Sequence, residues 1–306
     1  MPVPGQNISI SVVIPTFNRA TLLARALASL PLRVAQQLEV IVVDDGSTEE
    51  ISTTVKCFDG KVQLIKQERL GPGPARNRGW KAASGNYIAF LDSDDVWLPW
   101  TLQTYLEILH RFNFPSFVVG TGAWFRNDGE LANVQGEAVE ARAFSDYLAS
   151  AKFPIWLGAS SMLVKRECSP RFESMNMNAE DLDFALHFGQ EPGFVWIQKP
   201  FTFGYRRHNS TAVMDLEKTL IGIHHLVDEE RANQYPGGSE RKSERIELIT
   251  RAVRPPVIEA FRQHKWNAGT LLYRRTAGWH LLLQRWRFLI AVPFLAIVFA
   301  LRKRPR

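Results

Sequence analysis

The chain has 306 residues, 45% of them hydrophobic and 22% charged, with two cysteines, Cys57 and Cys168. That composition supports a sizeable packed core and excludes a disordered chain, a collagen-like repeat and a disulfide scaffold. The net charge of +6 is unevenly spread: Arg251 to Arg306 holds 12 Lys/Arg against Glu259 alone, a net +11, which leaves −5 on the preceding 250 residues.

Met1 to Asn7 shows neither a basic stretch nor an apolar run, so no signal peptide is expected. The cysteines are far apart and have no His at metal-ligand spacing, which argues against structural zinc and fits a reducing compartment. Ile8 to Ile14 reads as a strand stopped by Pro15, and Ala20 to Leu30 as a helix spaced by Leu22, Leu23, Ala26, Leu27 and Leu30. Leu38 to Val43 is an apolar strand, Thr48 to Phe58 a helix, and Val62 to Ile65 a short strand. Pro74 to Ala83 reads as a helix with proline in its first turn, where a missing N–H costs nothing. Tyr87 to Leu91 is another strand, followed by a helix from about Pro99 to Arg111.

Such alternation predicts βαβ units: an α/β fold with a mostly parallel central sheet flanked by helices. Ligands of such sheets bind beyond the carboxyl ends of the strands. Polar, chemically capable segments stand at those ends: Pro15 to Arg19, Asp44 to Ser47, and Asp92 to Asp95. From Gly120 to Arg207 the pattern is less regular, with a strand expected over Trp156–Val164 and a helix over Glu180–Phe188. After Ser210 the chain reads as helical, with breaks at Pro236-Gly237-Gly238 and Pro255-Pro256.

Asp92, Asp94 and Asp95 crowd one turn, and carboxylates so placed repel unless a cation neutralises them. Mg or Mn, held by one or two carboxylates and substrate phosphates, suits that chemistry. A helix N-cap is the alternative, and it accounts for one aspartate better than for three. At Asp44-Asp45-Gly46-Ser47 the Asp45-Gly46 pair favours the turn itself, which leaves Asp44 as the ligand candidate. Gly71-Pro72-Gly73 is not a dinucleotide fingerprint: Arg76 occupies the third glycine's place, and the segment follows the third strand, not the first. Arg76 and Arg78 at a helix N-terminus remain candidates for an anionic ligand.

Taken together, Val13 to Arg19, Val42 to Ser47, Gly73 to Gly79 and Ala89 to Asp95 resemble the motifs of family 2 glycosyltransferases of the GT-A fold, in order and spacing. The resemblance implies that Thr16 and Asp44 contact a nucleoside, Asp92 a ribose, and Asp94 a divalent cation, Mn or Mg, that holds the diphosphate. It also places Pro15, Asn18, Asp45, Arg76 and Asn77 among the substrate-binding residues. Asn178 to Asp183 is similar to the family's Glu-Asp element, which implies Asp181, beside Glu180, as the catalytic base. Tyr205 to Ser210 is similar to the segment whose histidine, here His208, completes the metal shell. The processive members' Gln-x-x-Arg-Trp is missing, since Gln284-Arg285-Trp286 is contiguous and lies in the tail.

The implied enzyme is metal-dependent, inverting and non-processive, and moves a sugar from a UDP-, dTDP- or GDP-sugar to a hydroxyl acceptor, such as a glycan or lipid-linked intermediate of surface polysaccharide or glycolipid synthesis. A non-catalytic nucleotide-sugar-binding module and a sugar nucleotidyltransferase are the rivals; the first would not need Glu180-Asp181, and the second should carry a Gly-rich loop where Pro15 to Arg19 stands. The expected domains are a catalytic one over 1–212, with a nucleotide-sugar half (1–115) and an acceptor half (116–212), and a helical extension over 213–306.

The tail joins its charge to an apolar run, Phe288 to Leu301, interrupted by Pro293 and short of the roughly 20 residues that span a bilayer. It reads as an interfacial segment that docks on an anionic membrane surface, with Trp279, Leu281, Leu282, Leu283, Trp286 and Phe288 as anchors, the alternative being a buried C-terminal helix folded against the catalytic domain. Nucleic acid is not an expected partner. The expected location is cytoplasmic, peripheral on the cytoplasmic face of a membrane.

Overall fold

The computed structural model describes residues 8–32, 36–58, 60–168, 172–173, 177–207 and 215–301. The chain divides into two compact units, the first made of Met1–Tyr147, Ile155–Asn176 and Gln190–Asn209, the second of Leu148–Pro154, Met177–Gly189 and Ser210–Arg306.

The first unit opens with β1 (Ile10–Thr16), α1 (Ala20–Ala28), β2 (Leu38–Asp45), α2 (Ile51–Lys56), β3 (Val62–Gln67), α3 (Pro72–Ala82) and β4 (Tyr87–Phe90). Strands β3, β2, β1 and β4 lie side by side and parallel, as the alternating pattern predicts. β1 and β4 are buried along their whole length, so their near-continuous apolar sequence suits a sheet covered on both faces. α1 turns Leu23, Ala26 and Leu27 into the core at helical spacing, each leucine contributing about 1.5–3 kcal/mol by leaving water.

β1 does not stop at Pro15 as expected but runs on to Thr16. Val13 faces β4, since its carbonyl accepts from Leu91, and Pro15, two residues on, faces the same way. β4 has turned off by then, so the proline's missing N–H removes no ladder bond.

Beyond β4 the sheet becomes mixed. β5 (Val96–Trp97), α4 (Thr101–Arg111), β6 (Phe117–Phe125), α5 (Asp128–Leu131), β7 (Glu140–Phe144), β8 (Met162–Lys165) and β9 (Phe194–Arg206) complete the unit. Among the described residues the sheet has nine strands, ordered β3-β2-β1-β4-β8-β6-β9-β5, with β7 on the free side of β9. The strand expected over Trp156–Val164 is shorter than its apolar sequence suggests. Residues Ala159–Ser161 form a 3₁₀ turn, because the Ser161 amide and hydroxyl both bond the Gly158 carbonyl.

The second unit is helical: α6 (Glu180–His187), α7 (Leu216–Arg231), α8 (Lys242–Arg262), α9 (Trp266–Leu282) and α10 (Trp286–Leu301). Asp215 caps α7, accepting from the amides of Glu217 and Lys218 at 3.0 and 3.2 Å. The Pro236-Gly237-Gly238 break separates α7 from α8, but Pro255-Pro256 does not break the chain; both lie inside α8. Val253, Val257, Ala260 and Phe261 are buried around them, and that packing outweighs the two missing N–H donors. Glu230 and Arg245, both fully buried, pair at 2.6 Å, and Arg245 also donates to the carbonyls of Pro236 and Gly238, both at 2.8 Å.

Candidate active site

The carboxyl ends of β1, β2 and β4 converge on polar residues of the first unit. Thr16 ends β1 buried, and its hydroxyl has no hydrogen-bond partner among the described residues. A buried hydroxyl left so is costly, and such groups call for a missing partner. At the end of β2, Asp44 is buried and spends Oδ1 on the Ser47 amide at 2.9 Å. Asp45 is occupied more fully: Oδ1 accepts from Gln67 at 2.7 Å and the Leu70 amide at 2.9 Å, and Oδ2 from the Gly71 amide at 2.8 Å. Asp44 therefore makes the local turn, while Asp45 anchors the loop that leads into α3. The turn thus falls to Asp44 and not to the expected Asp45-Gly46 pair, while Asp45, with both carboxylate oxygens occupied, is the poorer ligand candidate of the two.

Asn18 is also a loop anchor. Its amide donates to Ser47 Oγ at 2.9 Å, and its Oδ1 accepts from the Thr48 and Glu49 amides at 2.8 and 3.3 Å. Asn77 grips the backbone of Phe172 with both side-chain atoms at 2.9 Å. Pro15 is buried in β1.

Past β4, the Asp92–Asp95 turn is closed by the Asp95 amide donating to the Asp92 carbonyl. Each carboxylate has its own positive or polar partner. Arg76, buried in α3, donates to Asp92 at 2.7 Å. Arg19 donates to Asp94 at 2.6 Å. Asp95 is fully buried and accepts from Ser160 Oγ at 2.6 Å and the Arg206 amide at 3.0 Å. Burial, and after it the nearby Asp92 and Asp94 carboxylates, push the Asp95 carboxyl well above the ordinary aspartate range. The Arg206 side chain bonds the Asp94 carbonyl at 3.1 Å and Asp128 at 2.7 Å. Ser160 ties the turn together a second time by accepting from the Asp92 amide at 2.9 Å. Arg19, Ser160 and Arg206 escaped the sequence reading as site residues, because nothing in their own segments points to an acidic partner.

Residues 11–161 match glycosyl transferase family 2. An uncharacterized glycosyltransferase of Rickettsia bellii is 39% identical over 111 residues, which are 36% of this chain and 16% of that protein. The amylovoran biosynthesis glycosyltransferase AmsB of Erwinia amylovora is 28% identical over 205 residues, 63% of this chain and 67% of AmsB. Among solved structures, S. aureus TarS 1-349 in complex with UDP-GlcNAc superposes with a TM-score of 0.65 at 17% identity, covering 84% of this chain and 76% of that one. Mannosyltransferase PcManGT from Pyrobaculum calidifontis, in complex with GDP-Man and Mn2+, gives 0.54 at 19% identity over 100% and 90% of the two chains.

Residues 11–161 thus form a glycosyl transferase family 2 domain. The chain's likeness to the solved structures adds the GT-A-type fold. The chain spans less than a fifth of the length of the R. bellii, R. felis and R. conorii relatives it matches.

The Glu180-Asp181 pair, expected to match the family's Glu-Asp element, falls in the second unit. Glu180 and Asp181, both half-buried, open α6, whose first turn also holds Asp183. Carboxylates there meet the positive end of the helix dipole. Ala179 precedes them in the left-handed region at φ 72°, a conformation that costs an alanine about 1–2 kcal/mol. Asp183 is buried and accepts from Tyr235 at 2.7 Å, with His225 at 3.3 Å. Burial, then the Asp183 carboxylate, push the Tyr235 hydroxyl far upward, so it stays a donor. His208 lies outside the described residues.

The donor set at the acidic turn suits a hard divalent cation. Asp92 and Asp94 offer carboxylate oxygens, and no cluster of three or more His, Cys, Asp or Glu forms a metal cage among the described residues. One or two carboxylates, with the remaining shell left to phosphate and water, is the Mg or Mn pattern rather than the zinc pattern.

Proposed function

We propose that the chain is a metal-dependent, inverting, non-processive glycosyltransferase that moves a sugar from a nucleotide sugar to a hydroxyl acceptor in polysaccharide or glycolipid synthesis. The observation that carries this reading is the Asp92–Asp95 turn, fixed by Arg19, Arg76, Arg206 and Ser160 beside the orphaned Thr16 hydroxyl and Asp44. In this reading Thr16 and Asp44 receive the nucleoside and Asp92 the ribose. Asp94, with Arg19 as its exchangeable partner, would hold the cation, and His208, which the resemblance alone implies, would be a further protein ligand. Arg19 is the more exposed of that pair, at 34% against 11%. Asp45, Asn18 and Asn77 serve by holding the loops in place, and Pro15, buried within β1, directly precedes Thr16.

A bound Mg or Mn supplies Lewis-acid stabilisation of the departing diphosphate. Asp181 accepts the acceptor's proton as its oxygen attacks the anomeric carbon, with Glu180 beside it. UDP-GlcNAc in TarS and GDP-Man with Mn2+ in PcManGT support a nucleotide-sugar donor and a divalent cation.

The helical unit supports docking on an anionic membrane surface. No helix among the described residues is long and apolar enough to cross a membrane. In α10, however, Trp286, Ile290, Phe294, Ile297 and Leu301 are all exposed and fall within an arc of about 80° at 3.6 residues per turn. Phe288 and Val292 point the opposite way and are buried. Phe288 is thus no membrane anchor; it stacks on His280 with ring centroids 3.8 Å apart. Such docking places the enzyme on the cytoplasmic face, near a lipid-linked acceptor.

The test is release of nucleoside diphosphate from a panel of UDP-, dTDP- and GDP-sugars with Mn2+, Mg2+ or chelator. One donor should turn over with metal and not without it, and Asp94→Asn should abolish most of that turnover while leaving the fold intact. Full turnover in chelator, or in Asp94→Asn, would overturn the metal assignment.

A further inference from the structure

The strand ends beyond the acidic turn carry aromatic side chains that the donor-site reading does not use. Trp124 sits near the end of β6, and Tyr205 is its paired residue in β9. Trp156 lies in the segment that leads to Ser160. The Trp124 ring meets those of Tyr205 and Trp156 edge-on, with centroids 4.7 and 5.6 Å apart, and Trp156 meets Tyr205 at 5.2 Å. Phe203, in the core, backs Trp156 with a stacked ring at 6.0 Å. The Arg207 guanidinium covers Trp124 at 4.2 Å.

These rings are held firmly and yet left open. Trp124 is 48% exposed and Trp156 39%, although burying them would be favourable by the largest side-chain term available. Trp156 lies so close over Gly158 that a Cβ there would come within 2.5 Å of its ring. A packed aromatic face left in water at the end of a sheet is the mark of a binding surface.

Its position says what it binds. Trp156 and Ser160 share a segment, and Ser160 bonds both Asp92 and Asp95. Tyr205 and Arg206 are adjacent, and Arg206 bonds Asp94 and Asp95. The rings are therefore built on the same two segments that fix the acidic turn. In the strand order, β8, β6 and β9 follow β4 on the side away from β1 and β2, whose ends carry Thr16 and Asp44. A nucleoside at Thr16 and Asp44, with its diphosphate at the turn, points its far end toward the rings.

The chemistry of the surface favours a sugar over a lipid chain. A pyranose presents a face of C–H groups, slightly positive, to the negative face of an aromatic ring, and a rim of hydroxyls to polar neighbours. Here that rim would meet the Tyr205 hydroxyl and the Arg207 guanidinium; an acyl chain would meet the same polar groups at a loss. We infer that Trp124 and Trp156, with Tyr205 and Arg207, form a stacking subsite for a pyranose ring of the acceptor glycan. The inference rests on the transferase reading above.

The test is saturation-transfer NMR on the full chain with Mn2+ and UDP or GDP present. The probes are methyl glycosides of glucose, galactose, mannose and N-acetylglucosamine. At least one should receive saturation from the aromatic protons, strongest on the C–H protons of one ring face. Trp124→Ala and Trp156→Ala should each weaken its binding about tenfold, while Trp124→Phe retains most of it. Unchanged binding in both alanine variants, or no transfer to any glycoside, would overturn the subsite. If the alanine variants instead weaken a nucleotide sugar but not its nucleoside diphosphate, the rings hold the donor sugar and the acceptor assignment falls. Thermal shift by UDP or GDP with Mn2+ is read in parallel. Loss of that shift in the unaltered chain counts against the transferase reading itself, whereas a retained shift confines any failure to the subsite.

Discussion

Replacing Arg76 by methionine tests whether the acidic turn is held by charge pairing. Arg76 is 4% exposed in its side chain and Asp92 31%, with 2.7 Å between them. At that distance the gross attraction is about 6 kcal/mol at an effective dielectric of 20. Most of it offsets the desolvation of the two charges, so the pair's net worth is far smaller. Removing one partner of a buried pair costs about 3–5 kcal/mol. Asp92 can recover some hydration at its exposed edge, which lowers the expectation to about 2–3 kcal/mol. Methionine keeps the packing against Phe172, whose ring centroid lies 5.2 Å from the guanidinium carbon, so the loss reports charge rather than volume. The assay is a double-mutant cycle by urea unfolding, using Arg76→Met, Asp92→Asn and both together. Arg76→Met alone should lose most, and adding Asp92→Asn should recover part of the loss. Additivity within about 0.5 kcal/mol would refute the reasoning, because it would mean that the two groups do not interact.

Asp181→Asn should slow transfer by about 10²–10⁴-fold with donor affinity unchanged, as measured by turnover and titration calorimetry. A larger loss in Glu180→Gln would exchange the two roles. Flotation with phosphatidylserine-containing vesicles should carry the chain upward, and Ile290→Gln, Phe294→Gln and Ile297→Gln combined should leave it at the bottom, since that face is the exposed one. Equal flotation of both proteins would remove the membrane claim. His280 is fully buried, its ring nitrogens have no hydrogen-bond partner among the described residues, and burial, then Arg285 and Arg254, push it down to about 4. The unfolded chain takes up that proton near pH 6.5 and the native one does not, so stability present above pH 6.5 should fall by up to about 3 kcal/mol as pH drops toward 4. A His280→Leu variant whose stability falls just as steeply over that range, followed by circular dichroism, would contradict this.

The parallel half of the sheet was legible because β1, β2 and β4 are largely apolar runs that end in polar turns. The mixed half was not. β6 contains Gly120 and Gly122, which look like breakers, yet both are required by close packing: a Cβ would lie 2.1 Å from Thr202 Oγ1 or 2.6 Å from the Phe203 ring. β9 contains Pro200 and pairs with three different strands, a pattern that no local window displays. The placement of Asp44, Asp92 and Asp94 at or just past strand ends could be read from the sequence. The partners of those acids could not. Arg19 and Arg206 reach the turn from 75 and 112 residues away, through contacts that exist only once the sheet has formed. The sequence also could not divide Asp44 from Asp45, because that division depends on where the Gln67–Gly71 segment passes.

Those distant partners change what the acidic turn needs. Three adjacent aspartates in a sequence invite the conclusion that a cation must hold the turn together. In the fold, Asp92 faces Arg76, Asp94 faces Arg19, and Asp128 faces Arg206. Asp95 is buried and its carboxylate oxygens accept from Ser160 and from the Arg206 amide. The protein thus balances the turn with its own cations, and a metal there would serve the diphosphate rather than the fold. Structural zinc sites behave oppositely, since their ligands repel or unfold without metal. Exhaustive treatment with EDTA should therefore leave the melting temperature unchanged to within about 1 °C, since the loss of even 1 kcal/mol would shift it by about 2–4 °C. The same treatment should abolish stabilisation by UDP or GDP. Adding Mn2+ back should restore the nucleotide effect without raising the melting temperature of the protein alone by more than weak binding allows. A large drop on chelation, reversed by Mn2+ without nucleotide, would show that the arginines do not carry the turn, and would move the cation from the reaction into the architecture.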